Sequence, residues 1–300
     1  MRLTRTWMFV PGSDEKKIAK AARLPADTFI YDLEDAVAVG EKIRARQVVK
    51  QALLDNVNSQ AGRYVRVNAV ETPWFEADVQ EVLSANPTGI VLPKADGKEA
   101  IERVTALLER SLIENPEAKD AVQEVEIVPL IESARGLYHA YEIACACKRI
   151  KRLMFGAIDF ALDISAQITK GEEELLYARS QLVVASRAAG IEAPIDSVYP
   201  DFSDLAGLIR QTQRARQLGF AGKLVIHPIQ LAAVQDVFTP TSEELAEASG
   251  IVTAFSQGLA QGMGSVQVSG KMVDYPVYER AKRMLEQNQV RQASGKEDDL

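Results

Sequence analysis

The sequence contains few of the residues that build disulfide frameworks, zinc sites or nucleic-acid-binding surfaces. Its 300 residues include only two cysteines and two histidines, too few for a disulfide framework or a tetrahedral zinc site. The net charge of −7 disfavours a protein that binds a phosphate backbone. The cysteines form a C-x-C pair, Cys145 and Cys147, in a predicted helical segment, and we expect both to be buried structural residues.

Long apolar segments are also missing. No stretch approaches the roughly 18 uninterrupted apolar residues that a membrane span requires. The first twelve residues, MRLTRTWMFVPG, lack the apolar segment and cleavage site of a secretory signal. Hydrophobic residues nevertheless make up 47% of the chain, which predicts a folded core. We therefore expect a cytoplasmic protein that binds neither nucleic acid nor membrane.

Short β-rich runs alternate with longer helical segments along the first 240 residues. Eight of these runs are continuous and apolar, which is typical of strands buried on both faces of a parallel sheet. The runs cover residues 6–12, 28–35, 63–68, 89–95, 125–133, 152–160, 193–200 and 223–228. Eight β/α units of this total length favour a (β/α)8 TIM barrel over an open doubly wound sheet. The first run also lacks the G-x-G-x-x-G that follows it in a dinucleotide-binding fold.

The residues after the eighth unit are not needed to close a barrel. We therefore predict a catalytic barrel domain over residues 1–240 and a C-terminal extension over residues 241–300. The extension contains a predicted helix, a short β-hairpin or flap with Gly270 near its turn, and a final helix from Tyr278. We expect this extension to cap the active site or a neighbouring subunit.

Polar residues follow almost every predicted strand at its carboxyl end, where a (β/α)8 barrel holds its active site. They are Glu34 and Asp35, Arg66 and Asn68, Lys94, Glu132, Asp159, Asp196 and Asp201, and His227, in the order of strands two to eight. One such residue could be a loop residue or a helix cap. Their repetition predicts a polar funnel at one end of the barrel.

The predicted funnel is rich in carboxylates, which suits Mg²⁺ or Mn²⁺ better than zinc. Glu132 and Asp159 follow adjacent strands, so we predict that they are the metal ligands and that water and substrate complete the coordination. Glu34 and Asp35 would then hold metal-bound water or orient neighbouring groups, although Asp35 could instead cap a helix.

A divalent ion beside an arginine suits a small anionic substrate. The metal can chelate a carboxylate and an adjacent hydroxyl or carbonyl, while Arg66 stabilises developing negative charge. This combination favours cleavage or formation of a carbon–carbon bond next to a carbonyl. We interpret Pro93 and Lys94 as a wall and a turn rather than as a Schiff-base site.

The sequence resembles the citrate lyase β-chain/malyl-CoA lyase family, the HpcH/HpaI aldolase-like acyl-CoA lyases, over almost its whole length. The motifs that carry the resemblance are MFVPGSDEKKIAKA, YDLEDAVA, VRVN, LPKA, PLIES, FGAIDF, GFAGKLVIHPIQ and GKMVDYPV. The likeness is strongest to the citramalyl-CoA lyase branch. It implies a (β/α)8 barrel in a homotrimer or hexamer, Mg²⁺ on Glu132 and Asp159, and Arg66 in contact with the substrate.

The resemblance also implies residues that contact coenzyme A. Lys16 and Lys20, just after the first strand, resemble the contacts to coenzyme A or an acyl-phosphate group, with Phe9 beside them. Positive side chains near the first helix suit a phosphorylated carrier. Asp274, in GKMVD, resembles the family's catalytic carboxylate, which is carried on the extension into a neighbouring subunit's site.

The implied reaction cleaves a 3-hydroxy-3-carboxy acyl-CoA, such as citramalyl-CoA or malyl-CoA, to acetyl-CoA and a 2-oxo acid. Two departures from the family pattern bear on the substrate. Phe9 stands where the citramalyl-CoA lyase branch has tyrosine, and Ile158 stands where relatives commonly have glutamate. The alternatives are a citrate lyase β-subunit that acts on citryl-acyl carrier protein, a malyl-CoA thioesterase, and a non-catalytic ligand-binding barrel.

Overall fold

Eight parallel strands form a closed barrel in the computed structural model, which describes residues 4–55, 60–114 and 124–295. Each strand pairs with the next in sequence, and the last pairs with the first. The strands are β1 (Thr6–Pro11), β2 (Thr28–Asp32), β3 (Gly62–Arg66), β4 (Gly89–Leu92), β5 (Glu126–Ile131), β6 (Met154–Phe155), β7 (Ile195–Asp196) and β8 (Gly222–Val225). The predicted (β/α)8 barrel is confirmed.

Helices alternate with these strands, as the sequence pattern predicts. They cover Glu15–Ala21, Lys42–Asp55, Phe75–Leu83, Lys98–Glu114, Ala134–Tyr138, Ala140–Cys145, Ala157–Asp163, Leu176–Ala188, Leu205–Leu218 and Gln230–Phe238. Short 3₁₀ helices cover Val39–Glu41 and Glu173–Leu175. No helix within the described residues is both long enough and apolar enough to cross a membrane.

The barrel interior is filled by one cluster that takes buried side chains from all eight strands. Its members are Trp7, Ile30, Tyr64, Val91, Val128, Leu130, Met154, Ile195 and Leu224. A second, larger cluster lies between strands and helices. Because successive strand residues point to opposite faces, the other strands contribute to both clusters, while the two-residue strand β7 contributes only Ile195, to the interior cluster. Ile195 therefore faces the interior, whereas its neighbour Asp196 faces the helices.

The two cysteines contradict the sequence prediction. Cys145 is exposed and Cys147 is half-buried, so the predicted buried pair is wrong. The helix Ala140–Cys145 buries Ala140, Ile143 and Ala144, which share one face at helical spacing. Cys145 ends the helix and lies off that face, which exposes its side chain.

The chain divides into two compact units, Thr4–Phe238 and a second unit whose longer segment begins at Thr239. In the second unit, Thr241 begins the helix Ser242–Ala260 with a capping box. The strands β9 (Val266–Val268) and β10 (Lys271–Val273) form an antiparallel hairpin. A final helix covers Tyr275–Gly295, three residues earlier than its predicted start.

The hairpin has a two-residue turn at Ser269 and Gly270. Both have a positive φ, 48° and 80°, as the turn that matches the twist of paired strands requires. Between the two helices of this unit, Phe255 stacks on Tyr278 with ring centroids 5.0 Å apart. The predicted order of helix, hairpin and helix is confirmed for this unit.

Candidate active site at the carboxyl end of the barrel

Arg66, the last residue of β3, is the central cation of the candidate site. It forms a two-point ion pair with Asp32, with Nε 2.8 Å from Oδ1 and Nη2 2.7 Å from Oδ2. Its Nη1 lies 3.0 Å from Glu34 Oε2 and 3.5 Å from Asp35 Oδ2. The contact between Arg66 and Glu34 Oε2 is an ion pair, but its geometry is not that of a hydrogen bond. The ring of Phe9 lies 4.8 Å from the guanidinium carbon.

The neighbouring carboxylates keep Arg66 in its positively charged form. Burial disfavours the charged form, but the ion pair with Asp32 and the nearby Glu34 and Asp35 outweigh burial and raise the pKa of Arg66 above its usual value. The site therefore presents a permanent positive charge whose orientation is set by the carboxylate of Asp32.

Asp32 is a site residue that the polar residues following the predicted strands do not include. It is 1% exposed and also accepts hydrogen bonds from the backbone N–H groups of Glu34, at 2.9 Å, and Ala36, at 3.0 Å. Burial opposes ionisation, but Arg66 outweighs it and lowers the pKa of Asp32. The available signal is the aspartate inside the apolar run TFIYD, because a buried carboxylate needs a charged partner.

Glu132 follows β5 and is 4% exposed. Its Oε1 accepts a hydrogen bond from the backbone N–H of Lys94 at 2.7 Å. Lys94 has a φ of +50°, which is uncommon for a residue with a side chain, and its Nζ lies 3.5 Å from Glu34 Oε1. Lys94 therefore links Glu132 and Glu34, in addition to forming the predicted turn.

The two buried glutamates have too little positive charge around them to ionise normally. Burial raises the pKa of Glu34 to about 7, although Arg66 opposes the change. Burial, followed by the negative charges of Glu34 and Asp159, raises the pKa of Glu132 to about 8 despite the hydrogen bond from Lys94. A bound cation would correct this shortage of positive charge.

Asp159 lies in the first turn of the helix Ala157–Asp163 and is half-buried. The sequence pattern predicts a strand over residues 152–160 with Asp159 near its end, and this boundary is wrong. The strand β6 ends at Phe155, and the backbone N–H of Ala157 donates to Ser197 Oγ as the helix begins. A carboxylate in the first turn of a helix is stabilised by the helix dipole.

The donor groups fit a hard divalent cation that takes part of its coordination from outside the chain. Glu132 and Asp159 offer carboxylate oxygens, and their charges are close enough to act on each other. Among the described residues, no group of three or more His, Cys, Asp or Glu side chains is arranged to hold a metal ion. Water or substrate would therefore supply the other ligands, as Mg²⁺ commonly requires.

Two predicted funnel residues are buried outside the site. Asn68 hydrogen-bonds to Asp78. Asp196 is fully buried, with Oδ1 2.8 Å from Arg179 Nε and Oδ2 2.7 Å from Lys223 Nζ. The prediction is wrong for Asp196 because alternate strand residues face the helices rather than the barrel interior. It is wrong for Asn68 because this residue lies beyond the end of β3, where its side-chain amide donates to the Asp78 carboxylate and to the carbonyl oxygen of Leu33.

Two further predicted residues belong to surface loops. Asp201 is exposed and accepts a hydrogen bond from the backbone N–H of Ser203 at 3.0 Å. His227 is exposed and stacks on Phe202, with ring centroids 4.9 Å apart. These contacts tie Asp201 and His227 to the loops after β7 and β8 and not to Arg66 or Glu132.

The residues implied by resemblance lie on separate elements. Lys16 and Lys20 are exposed on the helix Glu15–Ala21, which Asp14 caps. Phe9 lies in β1 against Arg66. In the second unit, Asp274 Oδ1 accepts a hydrogen bond from the backbone N–H of Val277 at 3.3 Å, so Asp274 caps the final helix.

Comparison with protein families places the chain among known enzymes. Residues 5–228 match the model of the HpcH/HpaI aldolase/citrate lyase family. The chain belongs to this family. Residues 177–291 also match a model described as a C–C bond lyase of the TIM-barrel fold. The chain is therefore a carbon–carbon lyase, as its motifs predict.

Relatives of this HpcH/HpaI lyase match nearly its whole length. Citrate lyase subunit beta of Leuconostoc mesenteroides subsp. cremoris is 35% identical over 284 residues, covering 95% of the chain and 93% of that protein. Mitochondrial citramalyl-CoA lyase of Rattus norvegicus is 35% identical over 291 residues, covering 94% and 85%. The crystal structure of CitE from Mycobacterium tuberculosis with magnesium, acetoacetate and coenzyme A has a TM-score of 0.75 at 28% identity, covering 95% and 98%.

Gly156 allows the backbone of the HpcH/HpaI lyase to pass directly beside Glu132. A Cβ at position 156 would lie 2.6 Å from both Cβ and Oε2 of Glu132. We expect Gly156→Ala to displace the carboxylate, abolish most activity and lower the free energy of unfolding by about 1–3 kcal/mol.

Chemical denaturation and a lyase assay test this prediction. Gly250→Ala is the control, because a Cβ at position 250 would meet nothing within 4 Å. Normal stability and turnover in Gly156→Ala would show that the close approach to Glu132 is not required.

Proposed function

We propose that this lyase cleaves a 3-hydroxy-3-carboxy acyl-CoA of the citramalyl-CoA or malyl-CoA type to acetyl-CoA and a 2-oxo acid. The observation that carries the proposal is the permanently charged Arg66 beside the buried, high-pKa carboxylates of Glu34 and Glu132. The similarity to citramalyl-CoA lyase and to a CitE complex with magnesium and coenzyme A supports it. We expect the protein to work in the cytoplasm.

Mg²⁺ is the proposed cofactor, with Mn²⁺ as an alternative. Glu132 and Asp159 would hold the ion, while Glu34 and Asp35 would hold its water or orient its ligands. When bound, the metal would supply Lewis-acid polarisation to the oxygens of the oxo-acid half. The raised pKa values of Glu34 and Glu132 support this assignment, because a bound cation would stabilise their charged forms.

The proposed reaction breaks one carbon–carbon bond and moves one proton. The hydroxyl of the substrate loses its proton and becomes the carbonyl of the 2-oxo acid, while the electrons of the broken bond form a thioester enolate. Arg66, held by Asp32, presents fixed positive charge to the anionic oxygen. Protonation of the enolate carbon then gives acetyl-CoA, and we assign this step to the Asp274 carboxyl group, to which the proton released from the substrate hydroxyl would return, so that one proton moves overall.

We assign the coenzyme A half of the substrate to the first β/α unit, which consists of β1 and the helix Glu15–Ala21. Lys16 and Lys20 are exposed on the helix after β1, where their ammonium groups can reach phosphate groups in solution. Phe9 is half-buried against Arg66 and offers a ring face without the hydroxyl of tyrosine. We propose that these three residues contact the thioester and its carrier.

Asp274 is proposed to act in the site of a neighbouring subunit, in a homotrimer or hexamer. Asp274→Ala and Glu132→Ala should each be inactive alone, because each site lacks one required carboxylate. After subunit exchange in an equal mixture, about a quarter of the sites should combine an intact Glu132 with a neighbour's intact Asp274. Activity should return to about that fraction of the wild-type rate.

A second mixture controls for non-specific recovery. Glu132→Ala and Arg66→Ala damage the same barrel, so their mixture should stay inactive after exchange. If the Asp274→Ala mixture also stays inactive while exchange is demonstrated by mass spectrometry, Asp274 acts within its own chain or only as the helix cap seen in the structure.

The raised pKa values predict how Mg²⁺ binding varies with pH. In the folded, metal-free protein Glu34 and Glu132 have pKa values of about 7 and about 8, against 4.5 for an ordinary glutamate. Their burial therefore costs stability as pH rises from about 4.5 through 8, because the folded state binds these protons more tightly than the unfolded state. Mg²⁺ requires the deprotonated ligands and should raise the melting temperature more at about pH 8 than at about pH 5.5.

Thermal melts at the two pH values, with and without Mg²⁺, measure this difference. Glu132→Gln should lose most of the stabilisation by Mg²⁺ at both pH values, whereas Glu142→Gln, an exposed carboxylate on a neighbouring helix, should keep it. A wild-type increase that is the same at both pH values would argue against Glu132 as a ligand.

A substrate screen tests the proposed function directly. The purified protein and Mg²⁺ are incubated with citramalyl-CoA, malyl-CoA or methylmalyl-type CoA esters, or with citryl-acyl carrier protein. We expect acetyl-CoA and a 2-oxo acid from a free CoA ester, and no turnover with EDTA. Cleavage of the carrier-protein ester alone would favour a citrate lyase β-subunit. Release of free thiol would favour a thioesterase, and binding without turnover would favour a ligand-binding barrel.

A further inference from the structure

Lys42 stands at a position where a lysine is unfavourable on local grounds. It is 6% exposed, and burial of an ammonium group is costly. It is also the first residue of the helix Lys42–Asp55, where the helix dipole disfavours positive charge. A residue that violates two local rules indicates a compensating requirement elsewhere in the structure.

The ammonium group of Lys42 is directed at the backbone behind the active site. Its Nζ donates to the carbonyl oxygens of Leu33, at 2.8 Å, and Glu34, at 2.6 Å. The same Nζ lies 5.6 Å from the centre of the Trp74 ring, which covers it on another side. Lys42 thus binds the peptide units that carry Glu34 and leaves the Glu34 carboxylate free to face Arg66.

Other hydrogen bonds hold the same segment from different directions. Asp32 accepts from the backbone N–H groups of Glu34 and Ala36. Leu33 donates its N–H to the carbonyl of Arg66 at 2.9 Å, and its carbonyl accepts from Asn68 Nδ2 at 3.0 Å. Residues 33–36 are therefore anchored to β3 and to Lys42, which keeps Glu34 in contact with Arg66.

We propose that Lys42 is a positioning residue of the active site, which acts by holding the backbone of Leu33 and Glu34. Without its two hydrogen bonds, this segment would move and the Glu34 carboxylate would lose its fixed place beside Arg66 and Lys94. The consequence for catalysis rests on the proposed function, but the consequence for the backbone does not.

Lys42→Met tests the proposal, because methionine keeps an apolar stem and removes the ammonium group. Lys50→Met is the matched control: Lys50 lies on the same helix and pairs with Glu81 at 2.7 Å, away from residues 33–36. We expect amide hydrogen exchange at Glu34 and Ala36 to become about tenfold faster in Lys42→Met and to stay unchanged in Lys50→Met. We also expect kcat to fall about 10–100-fold in Lys42→Met, with little change in KM.

Hydrogen exchange and kinetics distinguish a failure of the Lys42 proposal from a failure of the proposed lyase function. Hydrogen exchange needs no substrate, so a wild-type protein that cleaves no CoA ester would contradict the proposed function and leave the exchange result intact. Wild-type exchange at Glu34 and Ala36 in a folded Lys42→Met variant would overturn the positioning role. An increase in KM with unchanged kcat would also overturn it.

A second variant serves if Lys42→Met does not fold. Lys42→Ala is prepared with propylamine, whose ammonium group can replace the lost one, or with propanol, which is similar in size but uncharged. Slow exchange at residues 34 and 36 and recovery of kcat with propylamine alone would support the proposal. Equal effects of the two additives, or no effect of either, would overturn it.

Discussion

Replacing Glu132 by glutamine is expected to abolish lyase activity while leaving the barrel folded. The side chain is buried at the end of β5, and glutamine preserves its size and an oxygen that can accept from Lys94 N–H. It removes the negative charge that the proposed metal requires. Loss of a metal ion's charge stabilisation is worth several kcal/mol, so we expect kcat/KM to fall about 10³-fold or more.

Turnover with and without EDTA, together with circular dichroism, measures this effect. Glu142→Gln removes an exposed carboxylate and should leave kcat/KM unchanged. Asp159→Ala should resemble Glu132→Gln if the two residues share one ion. A metal-independent wild-type enzyme, or normal turnover in Asp159→Ala, would contradict the assignment of Glu132 and Asp159 as ligands.

Arg66→Lys is expected to be nearly as damaging, although it preserves the charge. The guanidinium uses Nε and Nη2 for the two oxygens of Asp32 and directs Nη1 at Glu34. One ammonium group cannot make this pattern, so the charge would shift from its fixed place. Removal of one oriented donor in an active site typically costs about 10²–10³ in kcat.

Steady-state kinetics of Arg66→Lys and of Arg44→Lys test this prediction. Arg44 is half exposed and pairs with Glu15 and Glu41 on the surface, so its replacement should leave kcat/KM within about twofold. Nearly full kcat/KM in Arg66→Lys would mean that Arg66 only balances charge at the end of β3.

Asp32 fixes the orientation of the Arg66 guanidinium. It lies 34 positions before Arg66 and contributes both oxygens to the two-point pair. Sequence spacing does not reveal this pair, because it depends on the register between β2 and β3, in which Asp32 lies directly beside Arg66. The contact of Glu132 with Lys94 N–H, 38 positions apart, likewise depends on the left-handed backbone at Lys94.

Sequence patterns do predict the barrel and the members of its site that end an apolar strand. Burial on both faces makes the strands read as continuous apolar runs, and the closed barrel then brings their carboxyl ends together. Glu34, Arg66 and Glu132 follow from this reasoning, and the structure groups them. The motifs also predict the HpcH/HpaI family, which the family model confirms.

The direction of each side chain was decided only by the tertiary structure. A shift of one residue moves a strand side chain from the interior to the helix layer, so Asp196 pairs with Arg179 and Lys223 instead of facing the funnel. The sequence by itself determined which strands form the barrel and which charges stand near their ends. Strand register and the backbone turn at Lys94 determined which of those charges meet, because these contacts join residues that no local pattern connects.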